Sequence, residues 1–307
     1  MSKSEKKKSD RPSKPSAVTA KSRYEVPDDG SFRVKSAPTL PPKKARNDEA
    51  NEAALQKHIE KLDRLQHILY AHDSHAILLV FQAMDAAGKD STIRAVLSGV
   101  NPAGCVVHAF KRPSQGELDH DFLWRSACRL PERGHIGVFN RSYYEEVLAV
   151  KVHPEFLAAQ RLPPIDNPER FWAARYESIR DHEKHLARNG TVILKFWLNV
   201  SKEEQRQRFL ARLNEPEKNW KFETADVAER AHWPEYMAAY EQALNETSRP
   251  WAPWYAIPAD DKSYMRQMIA DIIVQTLESL KLDYPVPGKA EKAQFGVLRK
   301  QLEDEGR

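Results

Sequence analysis

The chain has 307 residues, with 48 Lys and Arg against 44 Asp and Glu, a formal net charge of +4. An apolar share of 41% is enough for a substantial core, yet no apolar run is long enough to span a membrane or act as an export signal. Two cysteines, Cys105 and Cys128, exclude a disulfide-framed scaffold and point to a reducing, cytoplasmic setting.

The first 46 residues hold Lys and Arg well ahead of Asp and Glu, with many Ser and Pro. Such a composition buries too little apolar surface to offset ordering, so residues 1–50 are expected to be a disordered basic tail. Leu55, Ile59, Leu62, Leu65 and Leu69 fall at helical spacing and predict an amphipathic helix over Asn51 to Asp73. Ile77 to Phe81 is an uncharged apolar run that reads as a buried parallel strand.

Small residues, Gly88, Lys89 and a hydroxyl pair come next, opening a helical pattern that stops near Gly99 and Pro102. Strand, small-residue loop and helix N-terminus make a phosphate-binding loop. Its backbone at Ala86, Ala87, Gly88, Asp90 and Ser91 would wrap phosphate oxygens, and Lys89 adds a full charge. The match to G-x-x-x-x-G-K-[ST] is imperfect. Ala83 stands at the first Gly, Asp90 follows the lysine, and Ser91 and Thr92 come one place late. An incidental Gly-Lys in a strand-turn-helix is the competing reading. Asp85 argues against it, because a carboxylate beside phosphates is repulsive unless a cation lies between them. Asp85 is therefore the candidate ligand for Mg2+, with Mn2+ as a substitute.

Cys105 to Phe110 is the second strand. Lys111 and Arg112 sit at its carboxyl end, where open α/β sheets carry ligands; ordinary solvated bases are the alternative. Ser114 and Glu117 form a capping box for a helix containing Asp121 and Arg125, which at one turn apart would also suit a plain ion pair. His135 to Phe139 is the third strand. In phosphate-loop enzymes the strand beside the loop strand ends in an acid that orients Mg2+ or its water. Here that place holds Asn140, and Arg141 would face the phosphates.

Prolines make 152–168 a loop. A long helix follows from Pro168 to Arg188, its aromatics read as core or subunit packing, and closes at Asn189-Gly190. Thr191 to Val200 is a fourth strand, and Ser201 with Glu204 boxes the next helix. Arg208 and Arg212 share one face of it, and a polar stretch containing Lys221 follows. This predicts a lid over transferring phosphate, about 206–231, against the plainer reading of a solvated helix face. Helices over about Thr224–Ala231 and Pro234–Thr247, a short strand at Trp254 to Ile257 and a last helix to about Leu280 complete the order. Residues 286–307 read as a charged tail. Five strand-helix alternations with short loops force a parallel five-stranded sheet with helices on both faces, an α/β phosphate-loop kinase domain over 51–285.

The segments Gln82-Ala-Met-Asp-Ala-Ala-Gly-Lys89, His120-Asp-Phe-Leu-Trp-Arg125, Phe139-Asn-Arg-Ser-Tyr-Tyr-Glu-Glu146, Asn219-Trp-Lys-Phe222, Ala252-Pro-Trp-Tyr255 and Ala259-Asp-Asp-Lys262 resemble the polyphosphate kinase family 2 over about 52–282. The resemblance implies a thymidylate-kinase-like fold that moves phosphoryl groups between inorganic polyphosphate and adenine nucleotides, reversibly, with Mg2+. It implies catalytic roles for Asp85, Lys89 and Arg141, and a lid carrying Arg208, Arg212 and Lys221. Asp121, Asn140, Arg141, Tyr144 and Glu145 would stand about the nucleotide. It also implies a homo-oligomer, a dimer or tetramer. Many members carry Asp where Asn140 stands and Asn where Glu145 stands. Both differences resemble the subgroup called class III, which phosphorylates AMP to ADP and ADP to ATP, and they leave Asp85 as the main metal ligand. Transfer would be direct and in line, with no covalent phosphoenzyme and no general base. The rivals are an ATP-dependent nucleoside monophosphate kinase on the same fold and, from another class, a polyanion- or nucleic-acid-binding protein using the basic tail. Neither a membrane nor a specific nucleic acid is expected as a partner.

Overall fold

Residues 19–305 are those the computed structural model describes. Their centre is a five-stranded parallel sheet of order β2-β3-β1-β4-β5. The strands are β1 (Ala76–Gln82), β2 (Cys105–Ala109), β3 (Ile136–Asn140), β4 (Thr191–Asn199) and β5 (Trp254–Pro258). β1, β3 and β5 are buried along their whole length. This is why their sequences are unbroken apolar runs and not alternating ones. Phe81 lies opposite Asn140 on one side and Phe196 on the other, so β1 and β3 end nearly level, while β4 runs on to Asn199. The chain leaves β1 toward one flank and leaves β3 toward the other. The crevice at their carboxyl ends is therefore the switch point where such sheets bind ligands.

α1 (Asp48–His72) begins where the Asn47 side chain accepts from the Ala50 N–H, and it buries Leu55, Ile59, Leu62 and Leu69 as the spacing predicts. α2 (Lys89–Val96) leaves the phosphate loop. The Ser114–Glu117 capping box forms, but it opens only the short α3 (Gln115–Leu118), with α4 (Trp124–Ala127) after it. Asp121 accepts from the Leu123 N–H at 2.9 Å. Arg125 reaches the Lys111 carbonyl at 2.7 Å and Glu117 at 3.8 Å, so the i,i+4 pairing with Asp121 is replaced. α5 (Ala149–Val152) and α6 (Glu155–Ala159) follow, the latter inside the stretch expected to be loop; Pro154 immediately precedes it and does not obstruct it. α7 (Pro168–Arg188) has the predicted bounds. α8 (Lys202–Asn214), α9 (Pro216–Asn219) and α10 (Thr224–Glu229) make the segment predicted as a lid. α11 (Trp233–Thr247) and α12 (Lys262–Ser279) return to the core, where α12 packs on α1. α13 (Lys289–Glu305) is a helix that buries no residue. Among the described residues no helix is long and apolar enough to cross a membrane.

The N-terminal expectation needs correction. Residues 1–18 lie outside the described residues, but from Thr19 onward the chain is fitted to the fold. Ala20, Tyr24 and Val26 are buried. The Val26 N–H donates to the Trp254 carbonyl and the Ala256 N–H to the Tyr24 carbonyl, both at 2.8 Å, so this segment lies antiparallel along the outer edge of β5. Farther on, Asn199 Nδ2 donates to the carbonyls of Ala37 and Pro38 at 3.1 Å. Average composition concealed this. A few apolar side chains, each with a seat, plus backbone bonds to an otherwise open strand edge, order a segment whose remaining residues are polar.

Candidate active site

β1 ends at Gln82 and the chain turns through Ala83–Gly88 before α2 begins. The turn needs two left-handed residues, Ala86 at φ 60° and Gly88 at φ 104°. Only glycine takes the second without strain; alanine at the first costs about 1 kcal/mol. Lys89 opens α2 and is 7% exposed. Its Nζ folds back to donate to the carbonyls of Ala83 at 2.8 Å and Met84 at 3.5 Å. Burial holds Lys89 below the ordinary lysine range, with Arg141 adding to the effect while Asp85, Glu145 and Asp90 oppose it.

Across the crevice Arg141 follows β3, itself left-handed at φ 62°, and its N–H continues the ladder to the Phe81 carbonyl at 3.0 Å. Its Nη2 stands 2.8 Å from Asp85 Oδ1. Burial alone would raise the Asp85 carboxyl, but Lys89 and Arg141 outweigh it and hold Asp85 below the usual range. Glu145, more than any other neighbour, pushes Arg141 up. Glu145 is itself held by Gln82 Nε2 at 3.1 Å. Asn140 Nδ2 donates to Asp90 Oδ1 at 2.7 Å, tying the end of β3 to the start of α2. Ser91 Oγ donates to the Gly88 carbonyl at 3.0 Å.

The basic residues expected on the lid divide. Arg208 does not face open space. It is 9% exposed, and its Nη1 donates to the carbonyls of Ala86 at 3.1 Å and Ala87 at 2.7 Å. Its Nη2 donates to those of Ala259 at 2.7 Å and Asp260 at 3.3 Å, and its Nε to Glu204. It braces the loop from behind. Arg212 Nη1 donates to the Lys221 carbonyl at 3.1 Å and to Asp226 Oδ2 at 3.2 Å, close enough to Asp85 to help lower its carboxyl. Lys221 is exposed, its ammonium 5.0 Å over the Trp220 ring. Lys111 and Arg112 are exposed beyond the end of β2.

Two nucleotide candidates stand elsewhere. Asp121 caps the turn before α4, and the titrating group that feels its charge is His182 on α7. Tyr144 is fully buried. Its hydroxyl donates to Glu183 at 2.8 Å and accepts from Lys195, so no ring face is free to meet a base. The adjacent pair Tyr143-Tyr144 gave no sign of which face of its turn met the core.

Sequence reasoning missed Gln205, whose Nε2 donates to the Asp85 carbonyl at 3.0 Å. Its position three before Arg208, on the same helix face, was the available signal. It also missed Tyr236 and Tyr240 on α11, both within the electrostatic reach of Glu145 and Asp85, and Asp226, whose carboxyl is raised by burial and by Asp85. No local motif marks these three.

Among the described residues no group of three or more His, Cys, Asp or Glu side chains is arranged to hold a metal ion. Mg2+ does not require one. It keeps several waters and is held by one or two carboxylates together with substrate phosphates. Asp85, ionised and with its side chain 32% exposed at the mouth of the crevice, fits that mode.

The family described as Polyphosphate kinase 2 (PPK2) matches residues 44–285. A Rhodopseudomonas palustris protein named ADP-polyphosphate phosphotransferase is 57% identical over 249 residues, 81% of this chain and 86% of that protein. A Meiothermus ruber protein named AMP/ADP-polyphosphate phosphotransferase is 43% identical over 271 residues, 87% of this chain and 97% of that one. The crystal structure of Polyphosphate Kinase 2 from Arthrobacter aurescens TC1 is similar with a TM-score of 0.75 at 35% identity, covering 91% of this chain and 96% of that one. With its loop, its strand order and its match over most of its length all in agreement, the chain belongs to the polyphosphate kinase 2 family.

Proposed function

We propose that this chain transfers phosphoryl groups from inorganic polyphosphate to adenine nucleotides, ADP to ATP and AMP to ADP. The observation that carries the reading is the meeting of Lys89, Asp85 and Arg141 at the ends of β1 and β3. The two relatives named for ADP and for AMP/ADP support adenine nucleotides as acceptors. Glu145, set between Gln82 and Arg141, supports AMP as the additional one through its resemblance to class III.

In this mechanism the loop N–H groups bind the donor phosphate. Lys89 releases the carbonyls of Ala83 and Met84 to meet it, and Arg141 spans donor and acceptor. Arg208 and Gln205 keep the loop backbone in shape throughout. Asp85 would hold Mg2+, which would supply charge neutralisation for the transferring phosphoryl group. The acceptor phosphate is already ionised at neutral pH, so no side chain need take its proton. With this reading goes a homo-oligomeric enzyme of the cytoplasm, supported by the family resemblance and by the unpaired thiols of Cys105 and Cys128.

The test is a separation of nucleotides after incubation with polyphosphate, Mg2+ and AMP, without ATP. ADP followed by ATP supports the full reading. Product only when ADP replaces AMP keeps the donor and removes AMP as an acceptor. Transfer only when ATP is supplied makes the chain an ordinary nucleotide kinase. A binding protein acting through its basic tail would show no turnover in any arm. Because residues from Thr19 onward are built into the sheet edge, removing 1–46 would damage the fold as well as the tail.

A further inference from the structure

We propose that the buried ion pair of Lys195 and Glu183 positions the acceptor side of the site, by fixing the 3-10 turn Tyr143–Val147 and thereby the places of Arg141 and Glu145. This rests on the reading of the chain as a nucleotide phosphotransferase. Both side chains are fully buried, with Nζ 2.7 Å from Oε2. An ion pair so placed is commonly no more stabilising than apolar residues of the same volume, so its energetic worth does not explain it. What it does explain is the turn. Glu183 Oε1 accepts from the hydroxyls of Tyr143 at 2.9 Å and Tyr144 at 2.8 Å. Lys195 donates to the Tyr144 hydroxyl and to the Thr247 carbonyl, each at 2.8 Å. Both members of the pair therefore spend their remaining bonds on the turn and on the end of α11. That helix brings Tyr236 and Tyr240 to the Glu145 side of the crevice.

The turn is fixed a second time at Glu146, which meets the buried Arg175 at 2.8 Å. Between the two anchors Glu145 is the acid that heads for the crevice, toward Gln82 and Arg141. Arg141 enters the turn in a left-handed conformation, which persists only where surrounding structure over-determines it. None of the pair's own hydrogen bonds goes to the loop or to Arg141. It acts through the two tyrosines, which makes Lys195, Glu183, Tyr143 and Tyr144 positioning residues and assigns Tyr144 a part in the site without contact with the nucleotide.

The experiment uses the full chain with Tyr144→Phe, Tyr143→Phe and the charge-neutral pair Glu183→Gln/Lys195→Met. For each, kcat and KM are measured for ADP and AMP, KM for polyphosphate, and the thermal midpoint. Tyr144→Phe keeps the ring and its packing, so it folds even if the paired variant does not. The expected result is a loss of about tenfold in kcat/KM for the acceptors, with the polyphosphate KM within about twofold of wild type. Unchanged acceptor constants in a folded Tyr144→Phe variant, or an equal loss for donor and acceptor, would overturn the proposal and leave the pair a feature of stability alone. ADP affinity measured by calorimetry reads the same acceptor effect. It separates this failure from that of the functional reading, which shows as wild-type protein without polyphosphate-dependent turnover.

Discussion

Arg208 Nη1 stands 2.7 Å from the carbonyl oxygen of Ala87, so the first helix of the lid segment holds the backbone of the phosphate loop it follows by more than a hundred residues. The same guanidinium serves Ala86, Ala259, Asp260 and Glu204, a planar fork that an ammonium cannot copy. Arg208→Lys should lower kcat/KM for polyphosphate by about 10–100-fold, the equivalent of losing charged hydrogen bonds worth about 1.5–3 kcal/mol. It should also lower the thermal midpoint. Steady-state kinetics with a melting scan checks both; a melting change without a kinetic one would mean that loop shape does not limit turnover.

Lys89 is expected to stabilise charge on the transferring group. Lys89→Ala should reduce kcat by about 10²–10³, the usual cost of one missing donor at a reacting oxygen. A single-turnover assay with ADP gives the number. A variant within about twofold of wild type would remove Lys89 from the catalytic set.

Asp85→Asn leaves a carbonyl oxygen but removes the charge. The Mg2+ concentration for half-maximal rate should rise by about tenfold, in keeping with a site made from one carboxylate and substrate phosphates. An unshifted Mg2+ titration would mean that another group holds the metal. Arg141 also loses the negative charge of one of its two acidic neighbours in this variant, Glu145 remaining, so acceptor KM should be followed alongside.

Burial pushes the Cys105 thiol up to about 11, whereas Cys128 is exposed. At pH 8 only about one Cys105 in a thousand is thiolate, and thiolate is the reactive form. Iodoacetamide should therefore label Cys128 first in the native protein, with Cys105 labelling rising about tenfold per pH unit toward 11. The sign for stability follows. The folded state holds this proton more tightly than the unfolded one, so the contribution is complete below about pH 9 and is lost as pH rises through about 11. Mass spectrometry of labelled peptides across pH reads the order of reaction.

Local pattern made the elements legible. The α7 bounds, the β1 run and the capping box at Ser114 each depend on residues within a few places of one another. The candidate site was legible where the residues that meet in it come just after a strand end, as Asp85, Lys89 and Arg141 do. It was illegible where a charge has to choose its partner across the fold. Nothing near Arg208 says that its guanidinium meets carbonyls rather than phosphate, since Ala87 is 121 positions away. Tyr144 is alike: its hydroxyl is taken up by Glu183 and Lys195, which arrive on another helix and another strand.

The segment along β5 bears on where this protein can be cut or joined. Its backbone occupies donors and acceptors at Trp254 and Ala256, sealing one flank of the sheet. On the opposite flank β2 exposes Val106 and Val107. A chain shortened to the family's shared stretch, 44–285, would bare a strand containing Trp254 and Tyr255 whose free hydrogen-bonding groups invite another chain to dock. Purification handles and fusions therefore belong ahead of Thr19, where they leave that seal in place. A shortened enzyme that clumps in the test tube would report a missing selvedge rather than a faulty active site.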